Sequence, residues 1–159
     1  MLLLVTLAAA FAAASAQIDL RPYNLTASIM FVTNDLNNDN QLTQTEFDHV
    51  FEIYDFNKDK IIERHEYVCY ITKSNSFMGN LAQSLYDEYD MDHDHRLERH
   101  DFDNFFNRMD EDNDDVVSAL EFVRFWEVLF ASKENFSMHG QKHPQHNDKY
   151  CLSHGHAHG

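Results

Sequence analysis

Positive charge is what this sequence has least of: 12 Lys and Arg stand against 27 Asp and Glu in 159 residues, a formal charge of −15. No basic cluster inverts that balance locally, which excludes nucleic-acid backbones and anionic lipid as partners and favours cations. Glycine is nearly as scarce, at four, and no glycine-rich phosphate cradle exists. Nucleophilic triads and the His-Glu-x-x-His pattern of metalloproteases are also missing, so an enzymatic reading has no residues to rest on. A second long apolar run is lacking after residue 16, which leaves no membrane span to expect. What the chain does hold is 43% hydrophobic residues, with 13 Phe and 7 Tyr. That is enough to build a packed core in spite of the charge.

Residues 1–16, MLLLVTLAAAFAAASA, carry no charged side chain and close on Ala14-Ser15-Ala16. They read as a signal peptide, and the C-terminal His-Ala-His-Gly is no retrieval signal, so secretion to the extracellular space is expected. Asn24-Leu25-Thr26 and Asn135-Phe136-Ser137 are acceptor tripeptides for glycosylation. Cys69 and Cys151 are the only thiols. In an oxidising compartment they form one bridge that pins the tail to the body; the alternative is a buried free Cys69 with Cys151 bridging two chains.

The organisation comes from a repeat. Offsetting the chain by 55 residues superposes Asp35 to Ile71 on Asp90 to Trp126 without a gap, with identities such as Asp35/Asp90, Phe47/Phe102, Phe51/Phe106 and Glu66/Glu121. Within each half the same acidic pattern recurs after 20 residues. The four segments are DLNNDNQLTQTE (35–46), DFNKDKIIERHE (55–66), DMDHDHRLERHD (90–101) and DEDNDDVVSALE (110–121). An aromatic stands four residues before each (Phe31, Phe51, Tyr86, Phe106) and directly after each (Phe47, Tyr67, Phe102, Phe122). Position 8 is always apolar: Leu42, Ile62, Leu97, Val117.

Each segment resembles the twelve-residue calcium loop of the EF-hand superfamily, and the resemblance covers residues 26 to 130. A hard dication takes six to eight oxygens, which a tight loop supplies from positions 1, 3, 5, 7 and 12. The resemblance implies side-chain ligands Asp35, Asn37, Asp39 and Glu46; Asp55, Asn57, Asp59 and Glu66; Asp90, Asp92, Asp94 and Asp101; and Asp110, Asp112, Asp114 and Glu121. It implies carbonyl ligands from Gln41, Ile61, Arg96 and Val116, with Thr43, Glu63, Glu98 and Ser118 at position 9. Up to four Ca2+ are expected. The chain departs from the family at position 6, where Asn40, Lys60, His95 and Asp115 replace the usual Gly. Lys60 and His95 each cost about 1 kcal/mol there. Asp101 at position 12 is one methylene shorter than Glu, which favours Mg2+ at 90–101. Weak sites follow, with dissociation constants of roughly 10⁻⁴ to 10⁻³ M.

Loop starts are 20, 35 and 20 residues apart, so the two loops of each half share one helix, about Gln44 to Tyr54 and Arg99 to Met109. A helix of 11 residues is about 16 Å long and holds its two loops apart. The expected fold is all-α, an EF-hand helix-loop-helix domain over 17–137 made of two tandem 55-residue repeats, with loop one paired to loop four and loop two to loop three. Two separate halves joined through Ser74 to Asn80 are the competing picture. Phe47, Val50, Phe51 and Tyr54 read as a core stripe.

Residues 138–159 form a low-complexity tail with six histidines, suited to Zn2+, Cu2+ or Ni2+. His49, His65, His93, His95 and His100 read as plain surface residues. The expected function is a secreted calcium-binding protein that stores or bridges calcium in an extracellular fluid, matrix or mineral. The alternatives are a calcium-dependent protein-interaction module, disfavoured by scattered Met, and transition-metal binding through the tail.

Overall fold

The structure, a computed structural model, describes residues 20–74 and 78–138, the side chains of 74 and 134–138 aside. Those residues are mostly helical: α1 (Tyr23–Asn34), β1 (Gln41–Thr43), α2 (Gln44–Tyr54), α3 (Arg64–Ser74), α4 (Gly79–Tyr89), α5 (Arg99–Met109), β2 (Val116–Ser118) and α6 (Ala119–Met138). The expected signal peptide, the tail with its transition-metal ligands, and Cys151 lie outside the described residues, and so does the side chain of Asn135. Helix α6 runs to Met138, one residue into the segment assigned to the tail. Cys69 is disulfide-bonded. Asn24 is exposed in the first turn of α1, whereas Thr26 is buried and its hydroxyl donates to the Leu20 carbonyl at 2.8 Å.

Helices α2 and α5 pack against each other, and their sequences say why. Phe47, Val50, Phe51 and Tyr54 on α2, and Phe102, Phe105, Phe106 and Met109 on α5, recur at i, i+3, i+4 and i+7, and all eight are buried. The two stripes face each other: ring centroids are 5.5 Å apart for Phe47 and Phe102, 5.8 Å for Phe47 and Phe106, and 5.2 Å for Phe51 and Phe102. At the rim of this contact Gln44 Nε2 donates to Asp103 Oδ1 at 3.0 Å, and Arg99 pairs with Asp48 while lying over the Phe51 ring.

The expected loop pairing is what forms. Strand β1 runs antiparallel to β2 with Gln41 opposite Ser118, Leu42 opposite Val117 and Thr43 opposite Val116. At the other end of α2 and α5, Ile62 and Leu97 exchange both backbone hydrogen bonds, at 2.8 and 3.2 Å. The aromatics that flank the loops cross-pack in the same combinations. Phe31 meets Phe122 at 5.5 Å and Phe47 meets Phe106 around the first and fourth loops; Phe51 meets Phe102 and Tyr67 meets Tyr86, at 5.9 Å, around the second and third. Residues of both halves therefore share one buried core. Helix α3 ends at Ser74 and α4 begins at Gly79, so the Ser74 to Asn80 stretch holds two helix ends.

Candidate metal centres

Every loop begins where a helix stops. The backbone N–H groups of Asp35, Asp55, Asp90 and Asp110 donate to the carbonyls of Phe31, Phe51, Tyr86 and Phe106, at 2.9 to 3.1 Å, which makes each aspartate the C-terminal cap of its helix. All four are buried, at 6%, 6%, 2% and 6% exposed. A helix C-terminus carries partial negative charge, so a buried carboxylate there is repelled by its own helix. The chain partly compensates from within. Asp35 accepts the N–H groups of Asp39 and Asn40, Asp55 those of Asp59 and Lys60, and Asp110 those of Asp114 and Asp115, at 2.9 to 3.2 Å.

That folding-back requires left-handed backbone. Positive φ occurs at the fourth and sixth residues of every loop: Asn38 and Asn40, Lys58 and Lys60, His93 and His95, Asn113 and Asp115, with φ between 59° and 72°. The sixth position was foreseen and the fourth was not. Asn and Asp fill these places in the first and fourth loops, where their short polar side chains tolerate the conformation; Lys and His fill them in the second and third. The fifth residue holds the same role throughout. Asp39, Asp59, Asp94 and Asp114 accept the N–H of Gln41, Ile61, Arg96 and Val116 at 2.8 to 3.1 Å. Asn37 and Asn57 clip onto Asp39 and Asp59 through their amides.

The twelfth residue of each loop stands in the first turn of the next helix, at the favourable end of its dipole. Glu46 Oε2 accepts Thr43 N–H at 2.9 Å and its Oε1 accepts Leu36 N–H at 2.9 Å, so one carboxylate caps α2 and closes the loop. Glu121 does the same with Ser118 and Glu111 at 2.8 and 2.9 Å, and Asp101 with Glu98 and Met91 at 2.9 and 3.0 Å. Burial pushes Glu46 and Glu121 up, yet hydrogen bonds from Thr43, Asn37 and Leu36 to the one, and from Ser118, Glu111 and Asp112 to the other, hold both below the ordinary glutamate value of 4.5. Glu66 differs. Its Oε2 accepts Glu63 N–H at 3.0 Å, but Oε1 is buried without a hydrogen-bond partner, and burial raises its pKa. Asp112 is also pushed up, by desolvation and the charges of Asp114, Glu121 and Asp110.

The third loop stands apart. Asp90 Oδ2 accepts His95 N–H at 3.1 Å, while Oδ1 is buried with no partner. Oxygens of Asp90, Asp92 and Asp94 lie within 4.8 Å of one another, as do those of Asp110, Asp112 and Glu121 in the fourth loop. His100 joins a further group: its Nε2 is 2.9 Å from Asp92 Oδ2 and 3.7 Å from Asp101 Oδ2. The hydrogen bond to Asp92 raises the His100 pKa and lowers that of Asp92. Sequence reasoning passed over His100 as a surface residue, and its place directly before the twelfth position is shared by His65, so the sequence alone did not single it out.

Gln41 and Val116 sit in β1 and β2, and Ile61 and Arg96 immediately precede the Ile62–Leu97 bridge, so each sits beside the paired backbone of its loop. The ligands expected at positions 1, 3, 5, 7 and 12 are oxygens throughout, and two buried carboxylate oxygens among them, Glu66 Oε1 and Asp90 Oδ1, have no hydrogen-bond partner. Such a set fits a hard dication, whose positive charge would replace the amides now shared among the carboxylates. No protein-family model, no curated protein and no solved structure matches the chain.

Proposed function

We propose that this protein is a secreted calcium-binding protein of the EF-hand kind, with weak sites at 35–46, 55–66, 90–101 and 110–121, that stores or bridges calcium in an extracellular fluid or matrix. One observation carries the reading: four times over, a buried aspartate caps a helix C-terminus, two residues of positive φ follow at the fourth and sixth places, and an acid at the twelfth stands in the next helix. The first two parts are costly alone, and a cation among the oxygens would offset that cost. Asp35, Asn37, Asp39, Glu46 and the Gln41 carbonyl would hold one ion, with the corresponding residues in the other loops. The ion would supply charge neutralisation, and the chain's own residues would supply the oxygens and the two paired ends. The −15 charge supports the same reading, and four dications would bring eight positive charges against it, leaving −7.

Calorimetric titration of the chelator-stripped chain with calcium tests this. Three or four sites near millimolar affinity are expected, and absence of heat at millimolar calcium would overturn the proposal.

A calcium-dependent interaction module is the second reading, favoured by one feature. Leu25, Ile29 and Val32 on α1, with Leu36 just beyond it, recur at i, i+4, i+7 and i+11 and are between 40% and 66% exposed. An apolar-surface dye separates the readings: the storage role predicts no calcium-dependent gain in dye binding, and the interaction role predicts a marked one. Among the described residues, no helix is long and apolar enough to cross a membrane.

A further inference from the structure

The third loop turns an imidazole nitrogen onto two of its own predicted ligands, whereas at the same position of the second loop His65 Nδ1 faces Glu63 Oε2 at 3.0 Å. His100 Nε2 faces Asp92 Oδ2 at 2.9 Å and Asp101 Oδ2 at 3.7 Å, and the three residues bring one ligand atom each within 4.8 Å of the others. On its far side His100 Nδ1 faces Glu98 Oε2 at 3.8 Å. At that distance the Glu98 carboxylate is a charged neighbour of the imidazole and not a hydrogen-bonded partner. Asp90, 2% exposed, shares Asp92 with this group, and its Oδ1 is buried with no hydrogen-bond partner.

The closing residue points the same way. Asp101 is fully buried and one methylene shorter than the glutamates at 46, 66 and 121, so it is poorly placed to offer calcium two oxygens at once. Calcium wants six to eight oxygens; zinc and its neighbours accept fewer ligands and favour imidazole nitrogen. We propose that the loop 90–101 binds a borderline transition dication, zinc being the type case, through His100 with Asp92 and Asp101, in preference to calcium. The proposal rests on the reading of the loops as cation sites and changes the occupant of this one. It makes the protein a mixed-metal binder, with the selective site inside the folded body and independent of the histidines beyond residue 138.

The test uses the full chain, stripped of metal and held in millimolar calcium, with zinc added while histidine ring and backbone amide resonances are followed by nuclear magnetic resonance. The His100 ring and the amides of Met91 and Glu98 shift together with one midpoint. His100→Ala weakens zinc at this loop by about tenfold or more, the loss that even an outer partner of a metal ligand produces. His100 is half exposed, and the variant keeps the calcium-driven shifts of the other three loops, which establishes that it folds. Asp101→Glu shifts the loop toward calcium. Zinc that moves only the histidines of 139–158, or moves loop amides without the His100 ring, overturns the proposal. Calcium that moves none of the other three loops overturns the proposed function instead, and the His100 signature is read independently of it.

Discussion

At the scale of single residues, the loops divide by what occupies their left-handed positions. Lys58, Lys60, His93 and His95 hold φ between 61° and 72° in the second and third loops, where Cβ crowds the backbone. Lys60→Gly and His95→Gly are each expected to raise the stability of the metal-free chain by about 1 kcal/mol in denaturant unfolding. Asn40→Gly and Asp115→Gly should gain clearly less. The closing acids separate in the opposite sense to their shared sequence position. Glu121 has a lowered pKa in the fold, so its contribution is present above 4.5 and is lost as pH falls below it; Glu66 has a raised one, so its contribution is full below 4.5 and is lost as pH rises from there through the raised folded value. Glu66→Gln should therefore raise the melting temperature of the metal-free chain at neutral pH, and Glu121→Gln should lower it. Each should remove one calcium site by titration. None of this asymmetry between the glutamates was legible in the sequence, because both close their loops from the same offset and only Glu66 leaves an oxygen unpartnered. His100 was missed for a similar reason: which neighbours an imidazole faces is a tertiary fact.

At the scale of elements, the sequence was far more informative. The 20, 35 and 20 residue spacing leaves room for one helix between the two loops of each half, and α2 and α5 span Gln44–Tyr54 and Arg99–Met109 as that spacing requires. The apolar residue at position 8 anticipated both cross-loop contacts, Leu42 with Val117 and Ile62 with Leu97. What spacing could not convey is that the two contacts differ in extent. Three residues pair on each side of the first, and one on each side of the second, where lysine and histidine occupy the positive-φ positions. The packing of α2 on α5 holds both ends in place. Phe102 touches Phe47, Phe51 and Tyr89 and is fully buried, so Phe102→Ala is expected to cost about 3–5 kcal/mol in chemical denaturation. Leu25→Ala, on the exposed face of α1, should stay within about 0.5 kcal/mol in the same assay.

At the scale of the whole molecule, a strongly aromatic core carries a strongly anionic surface. Four buried aspartates stand at the negative ends of four helices, and the fold sustains them with amides borrowed from their own loops. Cations in those loops would relieve both this local repulsion and the −15 charge of the chain, so binding and stability are expected to rise together. A site held at ten times its dissociation constant adds about 1.4 kcal/mol. At this size each kcal/mol is worth about 3–5 °C. The most direct measurement is the thermal melt of the chelator-stripped chain with and without calcium at about 10 mM. A rise of more than about 10 °C is the expected result, from three or more sites filling together. An unchanged melting temperature would contradict the account, because the four helix-capping carboxylates would then be self-sufficient and the loops would have no use for a cation.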